Sequence, residues 1–498
     1  MLRIGDLKQE AEESGYRLRH FPDRQPRVAR RLVCLMLGIW CFLGVWSLGF
    51  GFSALGADAV PAQSPQPRAD GYRGIWFTLG QFSKHGDKYS GGLGTYTANH
   101  NPMAVYSPEA DKTFFTYGGT RAAGERYLLV MASYFDHKTG QVPRPVIVHD
   151  KLGVDDPHDN GSINLDDKGH VWIFVSGRGQ KRPGFKYRSK EPFSIAAFER
   201  MSEEEMTYPQ PWFVPGKGWF HLFTKYTKGR ELYWETSADG RAWSSDQKLA
   251  GLGGHYQVSG QRDGKIATFF NYHPGGDVNK RTNLYYAQTD DFGKTWTTAD
   301  RQPLKLPLNE IKNPALVIDF QAQSKLMYTC DLNFDRAGNP LLLYVTSPGH
   351  EPGPENDPRE FCLTRWDGRG WLTSVITKTD HNYDMGSLWV DGNDWTVIAP
   401  ALPGPQPYGG GGEMGVWVST DQGKTWTMKQ QITHNSLFNH NYARRPLAAR
   451  DPFFAFWADG DPTKFSESRL YFTTRDGSRV WRLPPTMTAD LAKPEPVR

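Results

Sequence analysis

Chemistry-bearing side chains recur in this sequence just ahead of short aromatic runs: Asn99-His100, His158-Asp159-Asn160, Tyr208, His255-Tyr256, His381 with Tyr383-Asp384, and His440-Asn441-Tyr442. Imidazoles and phenols can carry protons in acid–base catalysis. Packing alone does not explain their return at equivalent places, so they are read as ringing one pocket. Two cations point to an anion. Arg178 ends the run WIFVSGR, and Lys225 ends HLFTK at the same position of the next unit. Together they suit a carboxylate. His137, in the turn SYFDHKTG, is separated from His158 by a strand-like stretch, and the two are expected to face each other across neighbouring units. With His273 added, the expected substrate-binding set is Lys225, Arg178, His100, His255, His273 and His440. Zinc-ligand and EF-hand spacings, a phosphate loop, a dinucleotide fingerprint and a nucleophile elbow are absent. No cofactor is therefore expected, and a structural Ca²⁺ is left open.

The elements that would position these residues are strands. Among 498 residues there are 52 Gly, 17 Trp, 22 Tyr and 28 Phe, a balance that favours strands and tight turns. Self-similarity appears at a period of about 50 residues. Thr289–Trp296 and Ser419–Trp426 both read S/T-x-D-x-G-x-T-W, and Ser237–Trp243 is a shorter copy. In such a turn the Asp accepts backbone N–H groups, Gly takes a positive φ, and Trp packs beneath the hairpin. These boxes are staples, with no chemistry assigned to them. Reading outward from them gives seven units, beginning near His100, His158, Tyr208, His255, Leu326, Tyr383 and His440. The expected fold is all-β: a seven-bladed β-propeller of four-stranded antiparallel blades over residues 71–487. The strand Tyr72–Phe77 is expected to complete the last blade, TWTTA (295–299) to be the outer strand of the fourth, and 488–498 to be a C-terminal tail. Cys330 and Cys362 lie in strand-like runs, with pairing left open.

Three arginines precede an apolar stretch, Leu32–Leu55, and Ala57-Asp58-Ala59 follows it. Residues 1–59 are read as a signal peptide or an N-terminal membrane anchor, with cleavage favoured, and 60–70 as a linker. Either reading exports the bulk of the chain to a periplasmic or extracellular space, with membrane contact only through an anchor at 32–55. The net charge of +4 does not support a nucleic-acid partner. Mean hydropathy of −0.60 excludes a polytopic membrane protein. A nearly neutral, aromatic-rich surface suits a carbohydrate.

GYRGIWF, the stretch GDKYSGGLGTYTANHNPMAVYSPEADKTFFTYGGT, DPHDNGSINLDDKGHVWIFVSGRG and TYPQPW together resemble the BNR-repeat (Asp-box) group of seven-bladed propellers, over about residues 71 to 485. That group includes ulvan lyases, rhamnose–glucuronate lyases and related exo-acting α-L-rhamnosidases. The resemblance implies a polysaccharide lyase acting by β-elimination on a glycan that contains uronate and rhamnose. His137, His158 and Tyr208 match the catalytic residues of the lyases, and Lys225 stands where the related pattern usually has Arg. The hydrolase relatives imply His100 as the functional histidine instead. A binding propeller without catalysis is the third expectation.

Overall fold

Residues 66–497 are described by a computed structural model, and every regular element longer than three residues is a strand. The leader reading, the anchor span 32–55 and most of the linker fall outside the described residues. Seven antiparallel sheets follow one another along the chain. Their first strands are Ala104–Ser107, Gly161–Leu165, Thr207–Val214, Gln257–Arg262, Leu326–Phe334, Ser387–Asp391 and Asn439–Arg444. These match the expected starts of all seven units. Six sheets have four strands and the last has five.

Polar bonds stitch each sheet to the next near the starts of these inner strands. Ile163 donates to the Pro102 carbonyl at 2.9 Å, Ser162 to Pro209 at 2.6 Å, and Ser259 to the Gln210 side chain at 2.7 Å. Asn271, Leu388 and Ser387 continue the series to Met327, Asp331 and Ala443. The ring closes where Leu447 bonds on both sides to the first inner strand, to Ala104 O and from Tyr106 N, each at 2.9 Å. The structure is thus a β-propeller. Its apolar core is divided among the sheet-to-sheet contacts. Trp172 and Phe174 meet Trp219 and Phe223 between the second and third sheets. Phe115 meets Phe453, Phe456 and Phe472 between the first and seventh. Each such side chain contributes about 1.5–3 kcal/mol on burial, so both faces of a blade must be apolar.

The Asp-box turns lie between the third and fourth strands of their sheets. Asp239, Asp291 and Asp421 accept backbone N–H bonds from Arg241, Thr295 and Thr425 at 2.8–3.0 Å. A further degenerate copy, Thr474–Trp481, sits at the same place in the seventh sheet, where Asp476 accepts from Ser478 N at 3.0 Å.

Three expectations at the edges need correction. The N-terminal strand, Gly74–Thr78, does not complete the seventh sheet. It pairs with Ser466–Ser468 and Ser90–Gly92 in a separate three-stranded sheet. The outer edge of the seventh sheet is already taken by Val480–Arg482 and Glu495–Pro496. Residues after 487 therefore supply strands, including Leu491–Ala492, which pairs with Val142–Pro143. In the fourth sheet the outer strand is Leu316–Ile318 rather than TWTTA, which makes only isolated bridges beside the Asp-box. Cys330 and Cys362 are both free and buried.

Candidate functional site

The start of the second inner strand supplies His158. Pro157–Asp159 form a short 3₁₀ turn, and the Asp156 carboxylate caps it by accepting the His158 N–H. The same carboxylate oxygen takes the His158 Nδ1–H. Its other oxygen accepts from Arg178 at 2.8 Å and Arg182 at 2.6 Å. Asp156 is therefore held ionised, well below the usual carboxylate range. Burial works against this, and His158 with the two guanidinium groups overcomes it. The imidazole is fixed with its proton on Nδ1. Burial lowers its pKa to about 4, with Asp156 opposing and Arg178 assisting the shift. The ring is thus neutral near pH 7, and among the described residues no donor reaches Nε2.

Tyr208 faces His158 with ring centroids 5.6 Å apart. Its backbone φ is +55°, uncommon for a bulky residue. The ladder slips between Thr207 and Gln210, and the Tyr208 N–H leaves it to bond Ser176 Oγ at 3.0 Å. Such a bulge re-aims a side chain, here toward the ring axis. Tyr442 repeats the device in the seventh sheet, at φ +57° beside a register slip.

Arg230 opens the third strand of the third sheet. Its guanidinium lies 5.6 Å from the Tyr208 ring centre and 4.6 Å from that of Tyr256, and it donates to the Tyr226 hydroxyl at 2.8 Å. Arg281, after the second strand of the fourth sheet, lies 4.7 Å from the Tyr256 ring, 4.6 Å from Tyr328 and 5.3 Å from Tyr383. Both guanidinium groups are buried, and among the described residues neither makes an ion pair. Burial would raise the Tyr256 phenol, but Arg230, Arg281 and Arg178, with a hydrogen bond from Tyr208, hold it below the ordinary phenol value. Tyr208 is pushed far up, first by burial and then by the neighbouring Tyr256 oxygen, so it keeps its proton.

The structure gathers His158, Tyr208 and Arg178 as the sequence suggested, but sets other candidates elsewhere. His137 does not face His158. It lies at the opposite end of its sheet, beside the turn that follows the first inner strand, with its N–H on Asp111 O and its ring bonded to Thr113 at 2.8 Å. The intervening strand carries the chain back along the sheet, so closeness in sequence becomes separation in space. Lys225 also points away, to Asp246 at 2.6 Å. Alternation along the strand puts it on the face opposite its buried neighbour Thr224. Arg230, on the paired strand, enters the tyrosine cluster instead.

His100 is buried under the site. It donates from Nε2 to the His158 carbonyl at 3.2 Å and accepts from Thr97 N at Nδ1. With both nitrogens engaged and the pKa lowered by burial to about 3, it buttresses the His158 turn. His255 is likewise occupied, by Asn271 O at 2.7 Å and Leu252 N at 3.1 Å. His440 bonds Trp457 of the seventh sheet and Ser436 in the loop that leads into it. His273 borders the site, 5.0 Å from the Tyr256 ring, with Nε2 buried and unbonded among the described residues. Among those residues, no group of three or more His, Cys, Asp or Glu is arranged to hold a metal ion. Arg230 and Arg281 escaped the sequence reading. The one available signal was a cation at the start of a strand just after a hairpin turn, as in RELYWETS.

Comparison with known proteins adds to this picture. A family model described as a BNR repeat-containing family member matches residues 95–379, more than half of the chain. No curated protein matches the sequence. Among solved structures, an ulvan lyase of polysaccharide lyase family PL25, bound to a sulfated glucuronate–rhamnose unit, superimposes with a TM-score of 0.64 at 14% identity, covering 82% of this chain and 96% of that one. The polysaccharide lyase Uly1 superimposes with a TM-score of 0.56 at 13% identity, covering 83% of this chain and 99% of that one. At such identities the likeness is one of fold.

Proposed function

The chain belongs to the BNR repeat-containing family, and from that premise we propose that it is an exported polysaccharide lyase that cleaves rhamnose–uronate linkages by β-elimination. The observation that carries this reading is a neutral, oriented His158 beside a protonated Tyr208 and a buried Arg230 that lacks a carboxylate partner. An unpaired buried cation is costly, and a bound anion offsets that cost. Arg230 receives the uronate carboxylate and stabilises the enolate-like charge that develops there. His158 Nε2 removes the C5 proton, its Nδ1–H steadied by Asp156. The C5–H electron pair becomes the C4–C5 double bond as the C4–O4 bond breaks. Tyr208 protonates the departing O4, and proton return from His158 resets the pair. The fold shared with two polysaccharide lyases supports the reading.

The rhamnosidase alternative finds less support, because both nitrogens of His100 are engaged and the acidic residues beside His158 are held by cations. The test is to give the purified protein a panel of rhamnose–uronate polysaccharides and follow the ultraviolet absorbance of unsaturated uronate. A rise is expected. Free rhamnose without a rise would establish the hydrolase instead, and binding without either product would leave a lectin-like propeller.

A further inference from the structure

The groups that would meet a substrate lie deep. His158, Tyr208, Arg230, Tyr256 and Arg281 are each no more than 9% exposed. Their depth owes much to a segment that precedes the first sheet. Residues 79–89 fold back as a hairpin, with Phe82–Ser83 paired to Gly86–Asp87. The buried Asp87 carboxylate knits it together, accepting from Gln81 N at 3.1 Å and Tyr89 N at 2.7 Å. From there the chain runs beneath the site. Asn160 Nδ2 donates to the carbonyls of Leu93 and Tyr96 at 2.8 and 3.1 Å, and Gln210 Nε2 to that of Asn99 at 3.0 Å. This stretch gives the pocket a floor.

The hairpin itself gives it a wall. It rests on the connections between the second and third strands of four consecutive sheets, the end of the ring where Arg230 and Arg281 also lie. In the fourth sheet the Tyr89 hydroxyl donates to Asn279 at 2.6 Å. In the fifth, Lys84 and Lys88 approach Glu355 and Glu351 at 3.4 and 3.8 Å. In the sixth, the His85 ring packs edge-on to Tyr408, 5.1 Å away. In the seventh, Asp87 N donates to Pro462 O at 3.0 Å. The third sheet has a tight turn, 227–229, at the corresponding place. A sugar chain that passes Tyr256 toward Arg281 therefore meets Tyr89, whose ring packs edge-on to Tyr383 at 5.4 Å.

We propose that the hairpin at residues 79–89 makes the site a one-ended pocket, so that the protein engages the terminus of a glycan chain and not its interior. The inference rests on the lyase reading for the identity of the glycan. Cleavage within a chain needs sugars to leave the site on both sides of the bond, and a wall on one side excludes them by steric clash.

Counting bound proteins per chain tests this apart from turnover. The full chain carrying His158→Ala, inactive under the lyase reading, is titrated calorimetrically with a short rhamnose–uronate oligosaccharide and with a long, size-fractionated polysaccharide of the same repeat. One protein per chain is expected at either length, because each chain offers one end of the right kind. A count that climbs with length means interior binding and overturns the inference. Wild type gives an independent reading. At equal mass and below saturation, shortening the chains by a given factor should raise the initial absorbance rate by that same factor. Equal rates, with an early ladder of mid-sized fragments, overturn the inference as well. Lys88→Ala combined with Tyr89→Ala removes the wall beside Arg281. Added to His158→Ala and shown to be folded by its thermal midpoint, it should load several proteins on one long chain; a count held at one would take the closure away from the hairpin. Where the combined variant does not fold, the length dependence still decides. Failure of the lyase reading would register separately, as one protein per chain with no unsaturated product from wild type.

Discussion

His158 works through its partners. Asp156 selects the tautomer, and burial keeps the ring neutral down to about pH 4. A base is active when deprotonated, so the acid limb of kcat/KM should fall near pH 4 rather than near the ordinary histidine value of about 6.5. A limb centred above 6 would remove His158 from the role. Asp156→Asn leaves the shape but loses the charge that orients Nδ1–H, and kcat should fall by about a hundredfold or more. His158→Ala should abolish the absorbance rise, and unchanged activity there would sink the assignment. His158 and Tyr208 were legible in the sequence because each opens a repeat unit, where residue type and position coincide. His100 and His255 shared that signal yet turn inward, because their ring nitrogens satisfy backbone groups that folding would otherwise bury unpaired.

Strands and turns decide which of two nearby cations reaches the centre. Lys225 and Arg230 lie on paired strands, but only Arg230 enters the tyrosine cluster. Arg230→Gln should lower kcat/KM by about a hundredfold to a thousandfold. Lys225→Met should change it by less than about threefold, since its pair with Asp246 is partly exposed. The reverse ranking would restore the sequence expectation. Period-two alternation makes one residue of register decisive, and the bulge that turns Tyr208 inward leaves no trace in a strand-like run. The Asp-box turns were readable because their chemistry is local. Gly293 has φ +89°, and a Cβ there would lie 2.5 Å from the Trp234 ring. Gly293→Ala should destabilise by about 1–3 kcal/mol in denaturant unfolding while leaving substrate affinity intact. A neutral result would mean that this turn does not need glycine.

For the whole molecule, neutral buried histidines set the response to acid. Burial lowers His100 and His381 to about 3, and His149, His158 and His255 to about 4. A group depressed in the folded state contributes stability above its unfolded pKa of about 6.5 and loses it as pH falls toward the folded value. Asp159 and Asp380, raised by burial to about 6, act in the opposite sense, but they are fewer. The thermal midpoint should therefore fall between about pH 7 and pH 4.5, and a flat or rising midpoint would contradict this balance.

The ring of blades was readable from the chain because hairpins, Asp-boxes and alternating apolar runs are local patterns repeated at one spacing. Closure was not. The N-terminal strand and the residues after 487 compete for edges that exist only once the ring has formed, and the hydrogen bonds of Leu447 to the first inner strand join positions more than three hundred residues apart. The site divides in the same way. Residue type at each blade start is written in the sequence. Which cations stand unpaired at the axis, and which histidine is turned toward them, follows from packing blades of the ring around one centre, where burial and the absence of a carboxylate partner are properties of neighbours far away in the chain.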